Sequence, residues 1–209
     1  GAGSFCSAPP GADRTSTIGR EKGTNALMRI DDEDAFVHAL LSSLGTYPPY
    51  FSRLAADNRE GPGEPGPAVL TPLGAAEVFG LRHQGAEVVD VRPTADYAAG
   101  HLKGSLAIPL RGVFATWLGW LLPDPDAPIV IVRNPDQDPE EIIWQARKVG
   151  YSRIVGELAG GVAAWATAGE ALQATPLADP ARVDPATVVD VRQRSEYAAG
   201  HVPGARNVE

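Results

Sequence analysis

Apolar positions from residue 73 onward fall into short β-branched runs that alternate with longer amphipathic stretches. A helix is predicted over 73–84 and a strand over 86–91, where Val88-Val89-Asp90-Val91 suits a buried strand. Ile108 is expected to end a short strand. Residues 112–121 read as a helix carrying Trp117 and Trp120 into a core or interface. Ile129-Val130-Ile131-Val132 is a wholly apolar strand. Asp138-Pro139-Glu140-Glu141 then opens a helix as a capping box, with Asp as N-cap, Pro first and Glu third, and Gly150 closes it. A strand near 153–158 and a helix from Gly161 through Trp165 follow. This alternation predicts a doubly wound α/β fold, its sheet mostly parallel and covered on both faces.

Upstream the pattern is helical or absent. Residues 1–30 are rich in Gly, Ser, Thr and Pro, show little periodicity, and are not expected to fold alone. Asp31 to Gly45 reads as an amphipathic helix with acidic residues in its first turn. Its apolar face is Phe36, Val37, Leu40, Leu41 and Leu44. His38 lies on or near that face and is read as a packing residue rather than a metal ligand. Residues 49–57 form a second short helix in this reading. The run Gly61-Pro62-Gly63-Glu64-Pro65-Gly66-Pro67 cannot continue a helix or a central strand and marks a domain boundary.

The chain repeats itself one hundred residues on. Val88-Val89-Asp90-Val91-Arg92 recurs as 188–192, Tyr97-Ala98-Ala99-Gly100-His101 as 197–201, and Gly104 as Gly204, giving 11 identities when 88–108 is laid on 188–208. So long a spacing suits a duplicated domain rather than a solenoid. Each copy reads as a strand ended by Asp-x-Arg, a short helix, and a Gly that stops it. Asp90, Arg92 and His101, with Asp190, Arg192 and His201, are read as structural. The spacing would allow salt bridges from Arg92 to Asp96 and from Arg192 to Glu196.

Charge narrows the partners. A net charge of −8 and a pI near 5.0 argue against nucleic acid and anionic membranes. No apolar run approaches the roughly 20 residues that span a bilayer. A single cysteine, Cys6, forms no internal disulfide, so a reducing cytoplasm is expected. His38, His83, His101 and His201 lack zinc-ligand spacing, so no metal site is expected in this chain. Residues 1–10 do not read as a signal peptide. The missing initiator Met points to a chain processed or cut from something longer.

The repeated Val-Asp-Val-Arg…Tyr-Ala-Ala-Gly-His…Gly pattern resembles the rhodanese family. Gly150-Tyr151, Leu158-Ala159-Gly160-Gly161 and Trp165 resemble that family's ending. The match runs over about 68–175 in full and 177–209 as a beginning. The resemblance implies a cysteine at the C-terminal end of strand 129–132, whose thiolate takes up sulfane sulfur while the next backbone N–H groups cradle the anion. The sequence there is Arg133-Asn134-Pro135-Asp136-Gln137-Asp138-Pro139. It holds no Cys, Ser or Thr. Pro135 and Pro139 each remove a donor, and Asp136 and Asp138 repel an anionic donor. No catalytic residue is therefore assigned in the degenerate loop Arg133, Asn134, Pro135, Asp136. Cys6, far upstream, is read as structural or incidental.

The first segment resembles another family. Gly1-Ala2-Gly3-Ser4-Phe5-Cys6, Ser16-Thr17-Ile18-Gly19, Asn25-Ala26-Leu27 and Asn58-Arg59 look like the C-terminal end of a metallo-β-lactamase-fold domain, of the persulfide dioxygenase and thioesterase-like branch. The histidine motifs that hold metal in that family precede Gly1 and are absent here, so iron or zinc is expected only in an intact parent. Leu27 stands where glutathione-type members carry Arg, which argues against glutathione recognition.

Three domains are expected: a metallo-β-lactamase-like tail (1–62), a silent rhodanese-like domain (63–176) and the start of a second (177–209). The implied function is a non-catalytic module of a bacterial fusion in persulfide or sulfane-sulfur metabolism, with packing, homodimer or docking roles toward its own upstream and downstream domains. The alternatives are a thiosulfate or persulfide sulfurtransferase, and an anion-binding module at 133–139.

Overall fold

The computed structural model describes residues 15–43, 47–61 and 66–208. The chain divides into a larger unit, Pro48–Arg182, and a second unit drawn from Gly1–Tyr47 and Val183–Glu209. The expected segments Gly1–Cys6 and Leu44-Gly45 lie outside the described residues, as does part of the 61–67 stretch.

In the second unit, helix α1 (Ile18–Thr24) is started by Thr17, whose hydroxyl accepts from the Arg20 N–H at 3.2 Å. Asn25 accepts from the Leu27 N–H at 3.1 Å and opens a 3-10 turn, Ala26–Arg29. These elements rest on caps rather than on a buried face. Helix α2 (Glu33–Ser43) begins where Asp32 accepts from the Ala35 N–H at 2.8 Å. Phe36, Val37 and Leu41 are exposed along it. His38 is exposed too, which corrects its reading as a packing residue; Ala39 and Leu40 are half-buried on that helix.

The larger unit opens with a 3-10 turn, Pro49–Ser52, and helix α3 (Leu54–Glu60). Its elements then run β1 (Pro72–Leu73), α4 (Ala75–His83), β2 (Glu87–Asp90), α5 (Thr94–Ala99), β3 (His101–Leu102), β4 (Leu106–Ala107), α6 (Phe114–Leu121), β5 (Ile129–Val132), α7 (Pro139–Arg147), β6 (Ile154–Leu158), α8 (Gly161–Thr167) and β7 (Leu172–Gln173). Five strands form one sheet in the order β1-β6-β5-β2-β4, every pairing parallel. β3 and β7 pair antiparallel in a small separate sheet. This is the α/β architecture the alternation predicts.

Strand alternation divides the core into two layers. Val89, Val91, Ile129 and Ile131 face Phe114 and Leu118 of α6, Ile142, Ile143 and Ala146 of α7, and Tyr151. Val88, Val130, Val132 and Leu158 face Val78 of α4, Trp165 of α8, and Leu102. Full burial of each such aliphatic side chain contributes about 1.5–3 kcal/mol. β1 and β6 approach so closely that a Cβ at Gly156 would fall 2.3 Å from the Thr71 carbonyl oxygen.

Phe114 and Leu118, with Leu122 just past the end of α6, take its core side, so Trp117 points outward and is 47 % exposed, which removes the core half of the core-or-interface reading for it. Trp120 is half-buried. Asp138 caps α7 by accepting from the Glu140 N–H at 2.9 Å, but Glu141 accepts from Gln145 Nε2 at 2.6 Å instead of closing a reciprocal box.

The second copy forms β8 (Val189–Asp190), α9 (Arg194–Ala199) and β9 (Arg206–Asn207). β8 pairs β9 at Val189↔Arg206 and Asp190↔Asn207, just as β2 pairs β4 at Val89↔Leu106 and Asp90↔Ala107. No helix among the described residues is long and apolar enough to cross a membrane.

Candidate functional site

The chemistry of this fold would sit where β5 delivers the chain past the sheet's C-terminal edge. Arg133 is the first residue beyond β5. Its guanidinium forks onto Glu157 of β6, donating from Nε to Oε2 at 2.5 Å and from Nη2 to Oε1 at 3.0 Å. Its Nη1 turns back onto the loop, donating to the carbonyls of Gln137 at 2.9 Å and Asn134 at 3.3 Å. The side chain thus braces two strands and holds the loop's carbonyl oxygens at once.

Asn134 and Gln137 close on each other and on the neighbouring elements. The Asn134 N–H donates to Gln137 Oε1 at 2.9 Å, and the Gln137 N–H donates to the Asn134 carbonyl at 3.1 Å. Gln137 Nε2 donates to the Val91 carbonyl at 2.6 Å, tying the loop to the end of β2. Asn134 Nδ2 donates to Asp96 Oδ2 at 2.6 Å, tying it to α5. Pro135 and Asp136 are exposed at the tip. An anion cradle needs free N–H groups turned inward. Here two are bonded within the loop, and Pro135 has none to give. The positive charge of Arg133 is matched by Glu157, and Asp96 and Asp136 add negative charge nearby. No residue from 133 to 139 is a thiol or hydroxyl nucleophile.

Asp90 and Arg92 lie on the neighbouring strand end, both buried. Arg92 donates from Nε to Asp90 Oδ1 at 2.9 Å and from Nη2 to Oδ2 at 2.6 Å, and a further Nη2 bond reaches the Gly100 carbonyl at 2.8 Å. The Arg92–Asp96 bridge that the spacing would allow is therefore not the one made. The guanidinium folds back two residues onto Asp90, which leaves Asp96 to Asn134. Tyr97 donates its hydroxyl to the Ser105 carbonyl at 2.8 Å. His101 stacks on Tyr97 at 3.9 Å, with Nδ1 2.9 Å from the Tyr97 carbonyl. A carbonyl only accepts, so that nitrogen carries the proton.

The second copy repeats this set. Arg192 binds Asp190 and the Gly200 carbonyl, at 2.6 and 2.8 Å through Nη2. Glu196 accepts from the Gln193 N–H at 3.3 Å instead of bridging to Arg192. His201 stacks on Tyr197 at 3.7 Å. Hydrogen bonds from the Arg192 side chain, then from its backbone N–H, hold the Asp190 carboxyl below the usual carboxylate range, and the same pairing raises Arg192. The first copy's pair is enclosed; the second's Arg192 is exposed.

Sequence reasoning located the loop but missed Glu157, Gln137 and the Asp96–Asn134 contact. The available signal was an acid inside an otherwise apolar strand. Glu157 pairs with Ile131 across the sheet, two residues before Arg133. Cys6 lies outside the described residues. Among the described residues, no group of three or more His, Cys, Asp or Glu side chains could hold a metal ion.

The parallel five-stranded sheet, with a helix after each of β1, β2, β4, β5 and β6, is an α/β class of fold. The model of the rhodanese-like domain matches residues 75–168 and 173–209, more than half of the chain, and the chain belongs to that family. A metallo-beta-lactamase from Staphylococcus aureus subsp. aureus COL is 27 % identical with a TM-score of 0.59, covering 76 % of this chain and 43 % of its own. The chain thus spans less than half of that protein's length. The rhodanese-like domain of the Alr3790 protein from Anabaena sp. is 23 % identical over 59 % of this chain and 94 % of its own, with a TM-score of 0.42. A thiosulfate sulfurtransferase from Pseudomonas aeruginosa is 22 % identical over 77 % of this chain and 36 % of its own, with a TM-score of 0.40. No curated protein matches the chain.

Proposed function

We propose that this chain is a non-catalytic rhodanese-like module from a bacterial, cytoplasmic metallo-β-lactamase/rhodanese fusion, with a packing or docking role in persulfide or sulfane-sulfur metabolism. One observation carries the reading: Arg133 stands at the end of β5 where the chemistry needs a thiolate, and its side chain is locked onto Glu157 and the loop carbonyls. The self-bonded loop and its acidic neighbours support it. The likeness to the Staphylococcus metallo-beta-lactamase supports the fusion. The parent would be a persulfide dioxygenase or hydrolase using iron or zinc held upstream of this chain. The partition is 1–62, 63–176 and 177–209, with the last segment opening a second rhodanese-like copy. Partners are the chain's own neighbouring domains and, in a homodimer, a second copy.

Thiocyanate formation from thiosulfate and cyanide is the test. The chain is expected to show none above a buffer blank. Activity that persists in Cys6→Ser would overturn the silent reading and favour the sulfurtransferase alternative. In the same proposal the isolated chain binds no stoichiometric metal; one iron or zinc per chain by elemental analysis would refute that.

A further inference from the structure

The segment ahead of the Gly/Pro-rich stretch makes contacts that its composition does not announce. Pro48 is buried and Tyr50 is half-buried against the α6–α7 side of the core. The Tyr50 ring crosses α6 at Gly119, where an added Cβ would fall 2.1 Å from Cδ1 and 2.5 Å from Cε1 of the ring. Any larger residue at 119 would have to evict Tyr50. Phe51 meets the same ring edge-on, with centroids 5.0 Å apart.

A second anchor lies three residues on. The Arg53 guanidinium carbon is 5.7 Å from the Tyr151 ring centroid, within cation–π reach, and Nη2 lies 3.5 Å from the Val149 carbonyl. Arg53 and Asp57 together cover Gly150: a Cβ there would sit 3.4 Å from Arg53 Nη1 and 3.6 Å from Asp57 Oδ2. Burial raises the phenol of Tyr50 above its ordinary value.

We infer that Pro48–Glu60 is a clasp. The surface formed by Gly119 of α6 and the Val149–Tyr151 corner is a docking site for the end of the upstream segment, recognised as an aromatic ring followed by an arginine three residues later. The clasp deepens the docking role proposed above, rests on it, and supplies the partner: the chain's own upstream part. Pro48–Glu60 then belongs to the same compact unit as the domain it clasps.

Limited trypsin digestion of the full chain tests this. Arg53 lies half-buried in the clasp, while Lys22 and Arg29 are exposed reference sites outside it. Cleavage at Arg53 is expected to run about tenfold slower than at the reference sites. Tyr50→Ala should bring the rates level, and Tyr50→Phe, which keeps the ring, should preserve the difference. Gly119→Leu should act as Tyr50→Ala does. If that variant misfolds, Tyr50→Ala decides alone, with unchanged amide protection of β5 as the folding control. Level rates in the parent chain, or a preserved difference in Tyr50→Ala, would overturn the clasp. Thiocyanate production would end the silent reading and leave this ratio intact, so the two ideas fail separately.

Discussion

Removing Arg92 is the sharpest stability test that the fold offers. Asp90 is 0 % exposed and Arg92 is 4 % exposed. Arg92→Ala deletes three side-chain bonds to the carboxylate and one to the Gly100 carbonyl, leaving Asp90 only the Arg92 backbone N–H at 3.1 Å. An enclosed charge stripped of its partner costs about 3–5 kcal/mol, against a total of about 5–15 kcal/mol for a domain. With a urea dependence of about 2 kcal/mol per molar, the midpoint should fall by about 2 M. Trp117, Trp120, Trp144 and Trp165 are the chain's four tryptophans, and all lie within Pro48–Arg182, so indole fluorescence during urea unfolding reports on the larger unit alone. Arg92→Lys keeps the charge but loses the fork, and should fall between parent and alanine variant. Arg192→Ala removes the same geometry from the exposed copy and should leave that midpoint unmoved. A loss below about 1 kcal/mol for Arg92→Ala, the range of an exposed pair, would refute the assignment of a buried, mutually dependent pair.

Two further outcomes follow from close contacts and from titration. Gly156→Ala should destabilise the larger unit by about 1–3 kcal/mol, since its Cβ would collide with the Thr71 carbonyl and push β1 from β6; a thermal-melt shift measures it, and an unchanged melt would be inconsistent with the described β1–β6 approach. Burial raises Tyr151, despite the opposing pull of Arg53, and it raises Tyr50, both above the ordinary 10.0. The folded chain therefore holds these protons more tightly, so their contribution is full below pH 10 and is lost as pH rises through the raised values. Urea midpoints should drop across that window, and less steeply in Tyr151→Phe.

The order of strands and helices was legible where a strand is an apolar run, as Ile129–Val132 is, and where a helix start carries a local signal such as Asp138-Pro139. The silent loop was legible for the same reason: a missing thiol and an inserted proline are properties of residue types. What Arg133 does was not. Its partner Glu157 lies 24 residues away and meets it only through the β5–β6 pairing. The bridges to Asp96 and Glu196 were allowed but not made because spacing along a turn does not say which way an arginine folds, and Asp90 and Asp190 were the nearer acids. Whether Trp117 faces the core or an interface was left open because hydrophobicity alone does not choose between two faces of an apolar helix; Phe114, Leu118 and Leu122 fill the inner one. The Tyr50–Gly119 contact was invisible, since a glycine in a helix gives no sign of what crosses it.

The duplicated brace carries a hazard for the chain as it folds. Val88–Arg92 and Val188–Arg192 are the same five residues, and each closes its own turn through contacts within a dozen positions. β5 needs a parallel neighbour of that composition, and a nascent chain contains two. Nothing in the pentapeptides themselves tells the right one from its twin. Discrimination falls to timing and tether length: β2 is synthesised before β5 and lies closer along the chain, while β8 arrives afterwards on a longer loop, whose closure costs more entropy. Order of emergence and the residues flanking each copy are therefore the differences on which correct strand pairing can draw.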